Sequence, residues 1–137
     1  DDHRGLRDIV EVRITLDKAL AEPVTQTWKN RQDTEIDQIV AQMDVHAQKG
    51  ELFTEQDRRF HIRLLEPLDN HLFLHLTEAF WAVHTLTVPL LGAPRPEDML
   101  RAARAHRTML QAARAGDTQA YREAITDHYA PLLAALT

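Results

Sequence analysis

Residues 54–68 read "TEQDRRFHIRLLEPL", and the spacing predicts a helix with an apolar inner face: Phe53, Phe60, Leu64, Leu65 and Leu68 recur at helical intervals. Asp57 and His61 fall on that same stripe, four residues apart and one above the other. Arg58, Arg59 and Arg63 take the solvent face. A charge buried without a partner is strongly destabilising. A helix that turns a carboxylate and an imidazole inward therefore needs matching groups from elsewhere in the chain.

Outward from this stretch, every segment reads as helix. The chain has only four glycines, is rich in Ala, Leu, Gln, Glu and Arg, and has no alternating Val/Ile/Thr runs. A first helix spans 4–28 with Leu6, Ile9, Val10, Arg13, Leu16, Leu20 and Val24 on one stripe, and Pro23 bends or ends it. A second covers 33–49, with Ile36, Ile39, Val40 and Met43 inside and Gly50 as its stop. Thr54 is placed to cap the third, over about 54–66, ahead of Pro67. The fourth starts near Asp69 or Asn70 and runs to about Pro89. After the loop "LGAPRPED", Pro96 and Glu97 suit the start of a fifth helix that ends at Gly116. Asp117 then caps the sixth, over about 118–135. The expected fold is all-α: an antiparallel bundle of about six helices with an internal metal or ligand cavity.

The 137 residues suffice for one domain with its own core, read here as residues 4–137, with 1–3 as a tail or linker remnant. No apolar run approaches the roughly 20 residues of a membrane span, and no secretory signal is visible. The absence of cysteine suits a reducing, cytoplasmic setting and excludes a thiolate zinc site. A net charge of −5 argues against a nucleic-acid surface on this chain. The start "DDHRG", without Met, suggests a fragment or processed chain.

The matching groups come from the last two helices. His106 completes the stripe of Met99, Ala103, Leu110 and Ala113, and His128 lies among Ala124, Ile125, Leu132 and Ala135. A single inward histidine is usually a satisfied core residue. Three imidazoles and a carboxylate converging from three helices instead make a metal site, where the ion offsets their desolvation. His71 and His75 form another i,i+4 pair on a face without a continuous apolar stripe and read as exposed. His84 borders the Phe73, Leu76, Phe80 stripe, so it is placed to look into an interior cavity, while Trp28 and Trp81 read as packing aromatics. Arg13 is a cation on an inner stripe. Either its head snorkels out or pairs with Asp17 or Glu22, or it is a fork awaiting a carboxylate ligand.

The segments "DIVEVRITLDKALAEPV" (8–24), "DRRFHIRLLEPLDNHLF" (57–73), "AHRTMLQAARAGD" (105–117) and "AITDHYAPLL" (124–133) resemble, in that order, the signatures of the FCD domain. That is the C-terminal effector-binding domain of the FadR-type branch of GntR-family bacterial transcription regulators. The resemblance implies one divalent metal on Asp57, His61, His106 and His128, the residues already singled out by their facing. It also implies that Arg13 reaches a ligand carboxylate or the water network of the metal, and that Asn70 caps a helix or lines the cavity. Many members carry a further Arg in the fourth helix, but none occurs here between Arg63 and Arg95. Either His84 stands in for it, or the ligand bears less negative charge than a citrate-like acid. The family's DNA-binding winged helix-turn-helix is missing.

The expected function is therefore the sensing half of a homodimeric regulator rather than an enzyme. Its effector would be a small organic acid, and its DNA contact would come only through the missing domain. Arg13, Asn70 and His84 are the candidate ligand contacts. Zinc is the first choice of metal, with nickel, manganese or iron compatible. The alternative is a mononuclear metal-dependent hydrolase, for which only Glu123 and Asp127 lie near a ligand in sequence. A metal-free interaction domain is the third reading.

Overall fold

The computed structural model describes residues 4–136. The reading of 1–3 as a tail lies outside the described residues, as does Thr137. Among the described residues the chain forms seven α-helices and no strand: α1 (Arg4–Ala19), α2 (Ala21–Trp28), α3 (Thr34–Gln48), α4 (Thr54–Leu65), α5 (His71–Thr87), α6 (Pro96–Ala115) and α7 (Thr118–Ala135). Short 3-10 turns over Glu66–Leu68 and Val88–Leu91 follow α4 and α5. No helix among them is long and apolar enough to cross a membrane.

The extra helix comes from Pro23. Its nitrogen cannot donate to the Ala19 carbonyl and its ring crowds it, so the helical run breaks one turn earlier, at Leu20. The bonds Leu20 N–H to Leu16 O and Val24 N–H to Leu20 O, both 2.9 Å, carry the chain across the bend. Other boundaries follow side-chain chemistry. The Asp33 carboxylate accepts from Ile36 N at 2.9 Å and starts α3. Its other oxygen takes the Arg63 guanidinium, from Nε at 3.0 Å and from Nη2, tying α3 to α4. Asp117 accepts from Ala120 N at 3.0 Å and starts α7. Gly116 ends α6 at φ +69°, where a β-carbon would also press on the Lys29 side chain.

The expected Thr54 cap is not formed. Phe53 occupies the cap position with no side-chain bond, and Thr54 is the first helical residue. Burial of the Phe53 ring in the core fixes where α4 begins. Ala135 is exposed, and Leu136 is the residue buried at that end of the chain.

The core is continuous. Val10, Val24, Trp28, Ile36, Ile39, Met43, Phe60, Met109 and Ile125 are fully enclosed. The Trp28 indole N–H donates to Leu64 O at 2.8 Å and locks α2 to the end of α4. α7 packs on α6 and α1, α3 on α6 and α4, and α5 on α4 and α1. These pairings bring the inner faces of α1, α4, α5, α6 and α7 around one polar interior.

Candidate metal centre

α4 presents Asp57 and His61 from adjacent turns, α6 presents His106, and α7 presents His128. One donor atom from each lies within 4.8 Å of every other. His106 Nε2 is 2.7 Å from Asp57 Oδ1, and His61 Nε2 is 3.2 Å from the same oxygen. His128 Nε2 sits 3.0 Å from His106 Nε2 and 3.2 Å from His61 Nε2. Bonds of about 2.0–2.1 Å to one ion would set tetrahedral donors about 3.3 Å apart and cis-octahedral donors about 2.9 Å apart. With His128 Nε2 3.8 Å from Asp57 Oδ1, the separations run from 2.7 to 3.8 Å around those values, so the cluster has about the size of one coordination sphere.

Proton bookkeeping supports the fit. His106 Nδ1–H donates to Ala102 O at 2.7 Å, which leaves Nε2 with a bare lone pair whenever the ring is neutral. That lone pair faces a carboxylate oxygen and another imidazole nitrogen, both acceptors or single donors. Protein protons alone satisfy the His106–Asp57 contact only if an extra one sits between them, on the imidazole or on the carboxyl. A cation satisfies all of it. His128 Nδ1, on the far side of its ring, is buried without a partner.

The electrostatics in the absence of metal reflect the same conflict. Burial opposes the Asp57 charge, but the charge and hydrogen bond of His106, with bonds from His128 and His61, hold its carboxyl well below the usual range. Burial also opposes protonation of His106, yet Asp57 outweighs it and raises that imidazole. Burial depresses His61, with Asp57 only partly offsetting it. Burial and the neighbouring His106 push His128 down to about 3. Phe53 and Phe60 pack against the His106 ring in T-shaped contacts, with centroids 6.3 and 4.9 Å away.

The Arg13 head points inward. It is 4% exposed, so its head does not snorkel out. No carboxylate among the described residues lies within ion-pair distance of it; Glu22 is exposed, and Asp17 instead accepts from Tyr129 Oη–H at 2.6 Å. Burial raises Asp17 despite its neighbours His61, Tyr129 and Arg13. The guanidinium lies 4.9 Å from the Trp81 ring centre and 5.2 Å from that of Tyr129, and Nη1 donates to His84 Nδ1 at 3.2 Å. Because an arginine only donates, His84 must accept there and carry its own proton on Nε2. Burial and then the Arg13 charge hold His84 at about 4, so it is neutral.

A pocket of about 200 Å³ joins these groups. Asp57, His106 and His128 line it together with Arg13, His84, Trp81 and Tyr129. Its remaining wall is largely apolar, with Phe53, Val88, Met99, Pro131 and Leu132. His61 faces a much smaller space of about 20 Å³ behind the cluster, beside Asp17 and Tyr121.

Of the residues singled out in the sequence, Asp57, His61, His106, His128, Arg13 and His84 come together. Asn70 does not line this pocket. It is exposed, and its carbonyl oxygen caps α5 by accepting from Leu72 N and Phe73 N at 3.0 and 3.2 Å. His71 and His75 are exposed, as their face implied. Trp81 and Tyr129 are the members that sequence reasoning missed. The signal for Trp81 was its position three residues before His84, on the same helical face. For Tyr129 it was adjacency to His128.

The sequence model of the FCD domain matches residues 8–131. The "Putative transcriptional regulatory protein NedR" of Micromonospora viridifaciens is 51% identical over 86 residues, 63% of this chain and 62% of that protein's length. No solved structure matches at a significant level. The chain belongs to the FCD domain family.

Proposed function

We propose that this domain is the effector-sensing part of a FadR-type GntR-family transcription regulator. One divalent metal would be held by Asp57, His61, His106 and His128, with zinc the first choice for a site of three imidazoles and one carboxylate, and nickel, manganese or iron compatible. The observation that carries the reading is the joining of that cluster to a pocket whose one lining Lys or Arg is the buried Arg13. A small organic acid would place its carboxylate between the metal and the guanidinium, whose remaining N–H groups form a charge-assisted fork. Trp81 and Tyr129 hold Arg13 in place. The hydrolase alternative has less support, because Glu123 and Asp127 are exposed and neither lines the pocket.

Regulation would act through a homodimer and an N-terminal winged helix-turn-helix. Effector binding would favour one arrangement of two domains and so the match of two DNA readers to their half-sites. α5 supports the homodimer. It is apolar on both faces, and its outer stripe of Leu72, Leu76, Ala79, Val83 and Leu86, continued by Leu90, repeats at intervals of four and three. Leu72, Leu86 and Leu90 are 63%, 77% and 77% exposed. The stripe offers roughly 500 Å² of apolar surface, at the upper end of what monomers expose and over half of the about 800 Å² per partner in a standard interface. It carries no charge, and a stripe with this spacing is self-complementary when two copies cross.

The test has two arms. Purified domain should bind about one divalent ion per chain, measured by elemental analysis after dialysis. With metal bound, a panel of organic acids should raise the melting temperature in wild type and not in Arg13→Met, and every acid should be recovered unchanged. Turnover of a panel acid, lost in His106→Ala, would establish the hydrolase instead.

A further inference from the structure

Building on the effector reading, we infer that the pocket selects a monocarboxylate with an uncharged, mostly apolar body, and rejects di- and tricarboxylates. The size follows from the volume. A cavity of 150 Å³ accepts benzene, so the pocket's about 200 Å³ corresponds to roughly eight to ten non-hydrogen atoms.

The charge follows from what faces that volume. Arg13 is the one Lys or Arg on the pocket wall. It cannot swing to meet a second anionic group, because Trp81 and Tyr129 flank it and His84 accepts from it. His84 lines the pocket as a neutral ring whose Nδ1 is already used, so it offers a neutral donor suited to a hydroxyl or carbonyl oxygen. It offers no second positive charge. Away from the metal cluster the wall is Phe53, Val88, Met99, Pro131 and Leu132. A second carboxylate placed there would lose its water and gain no partner. Beyond it stands Asp98, the remaining acid of the wall apart from Asp57. Asp98 is held by Arg95 through Nε at 3.1 Å and Nη2 at 3.3 Å, and this turns the one nearby arginine away from any ligand. One carboxylate therefore has a positively charged place, and a second meets no cation, only the neutral donors of His84 and Trp81, the Arg95-paired Asp98 or an apolar wall.

Matched acids test this by isothermal titration calorimetry on the zinc-loaded domain: hexanoate against adipate, and phenylacetate against citrate. The expected result is that hexanoate or phenylacetate binds at least tenfold more tightly than its polyanionic counterpart. Val88→Lys, on the half-buried 3-10 turn, should reverse the order by improving adipate at least tenfold and weakening hexanoate; circular dichroism checks that it folds. Adipate or citrate binding as tightly as the monoacids in wild type would overturn the inference while leaving the effector reading intact. Zinc uptake without binding of either series would overturn both.

Discussion

Metal loading should raise the melting temperature by an amount that the site geometry lets one remove selectively. At free zinc about 100 times its dissociation constant, binding to the folded state alone adds about 2.7 kcal/mol. Unfolding entropy of about 2.1 cal/mol/K per residue gives roughly 0.28 kcal/mol/K for a chain of this size, so the shift should be about 10 °C. His128→Ala is the cleanest perturbation. His106 is tied to Asp57 and Ala102 even without metal, so its loss destabilises the domain for other reasons. His128 has a buried Nδ1 with no partner, and burial already disfavours its protonation. Its contacts with His61 and His106 and the cavity it leaves make some loss of metal-free melting temperature expected, smaller than for His106.

If that substitution weakens zinc binding about 100-fold, the site is half occupied at the same free zinc. The remaining stabilisation is then RT ln 2, about 0.4 kcal/mol, and the shift falls to between about 1 and 2 °C. Differential scanning calorimetry with buffered zinc, against a chelator control, measures both values. A wild-type melting temperature unmoved by zinc, nickel, manganese and iron would refute the reasoning. So would a full shift retained in His128→Ala.

Three further outcomes are expected. Arg13→Met should keep the metal shift within about 2 °C of wild type and abolish carboxylate stabilisation, since Arg13 lies beside the cluster without belonging to it; thermal shift with hexanoate reads both. In metal-free protein, His84 is depressed to about 4 by burial and by Arg13 against the opposing charge of Asp57, with His61 adding to the depression. Its contribution is therefore fully present above the unfolded value near 6.5 and is lost as pH falls toward about 4. Urea melts of wild type and His84→Gln at pH 7 and 5 should thus converge in the mutant's favour by up to about 2 kcal/mol, and a difference independent of pH would contradict the assignment. Leu86→Glu should convert a dimer to a monomer in sedimentation velocity with the helical spectrum unchanged, whereas Val45→Glu on α3, exposed but off the stripe, should not.

Local periodicity made the four donor residues legible, because inward facing on a helix depends only on spacing. Asp57, His61, His106 and His128 needed no knowledge of how the helices pack. The break at Leu20 was half visible, since Pro23 announces a disturbance but its steric demand falls on the preceding turn. The start of α4 at 54 was legible but its cap was misread, because Thr54 has the right chemistry for a cap while the buried Phe53 holds that position. Asn70 is a case where one residue type suits both a cap and a polar pocket, and only the position of the pocket separates them. For Trp81 and Tyr129 only proximity to His84 and His128 was legible, not a role. Their role exists only because α1 carries Arg13 between two rings contributed by α5 and α7, and that meeting is a tertiary fact.

α5 is where sensing and assembly would meet. One face carries Trp81 and His84 against Arg13, and the other carries the leucine stripe. A ligand held by Arg13 would also lie against the free N–H of His84, so α5 is the element through which occupancy would bias the packing of two copies. Coupling of binding equilibria is reciprocal. If the effector alters dimerisation by some factor, dimerisation must alter effector affinity by the same factor. Hexanoate affinity of zinc-loaded wild type should therefore differ from that of monomeric Leu86→Glu by about 5-fold or more, the lower end of ordinary allosteric coupling. Calorimetry should find the dissociation constant of the wild-type dimer sensitive to added hexanoate by a matching factor. Equal hexanoate affinities in the dimer and the monomer would show that the two faces of α5 work independently, and coupling would then have to run through α1, which bears Arg13 itself.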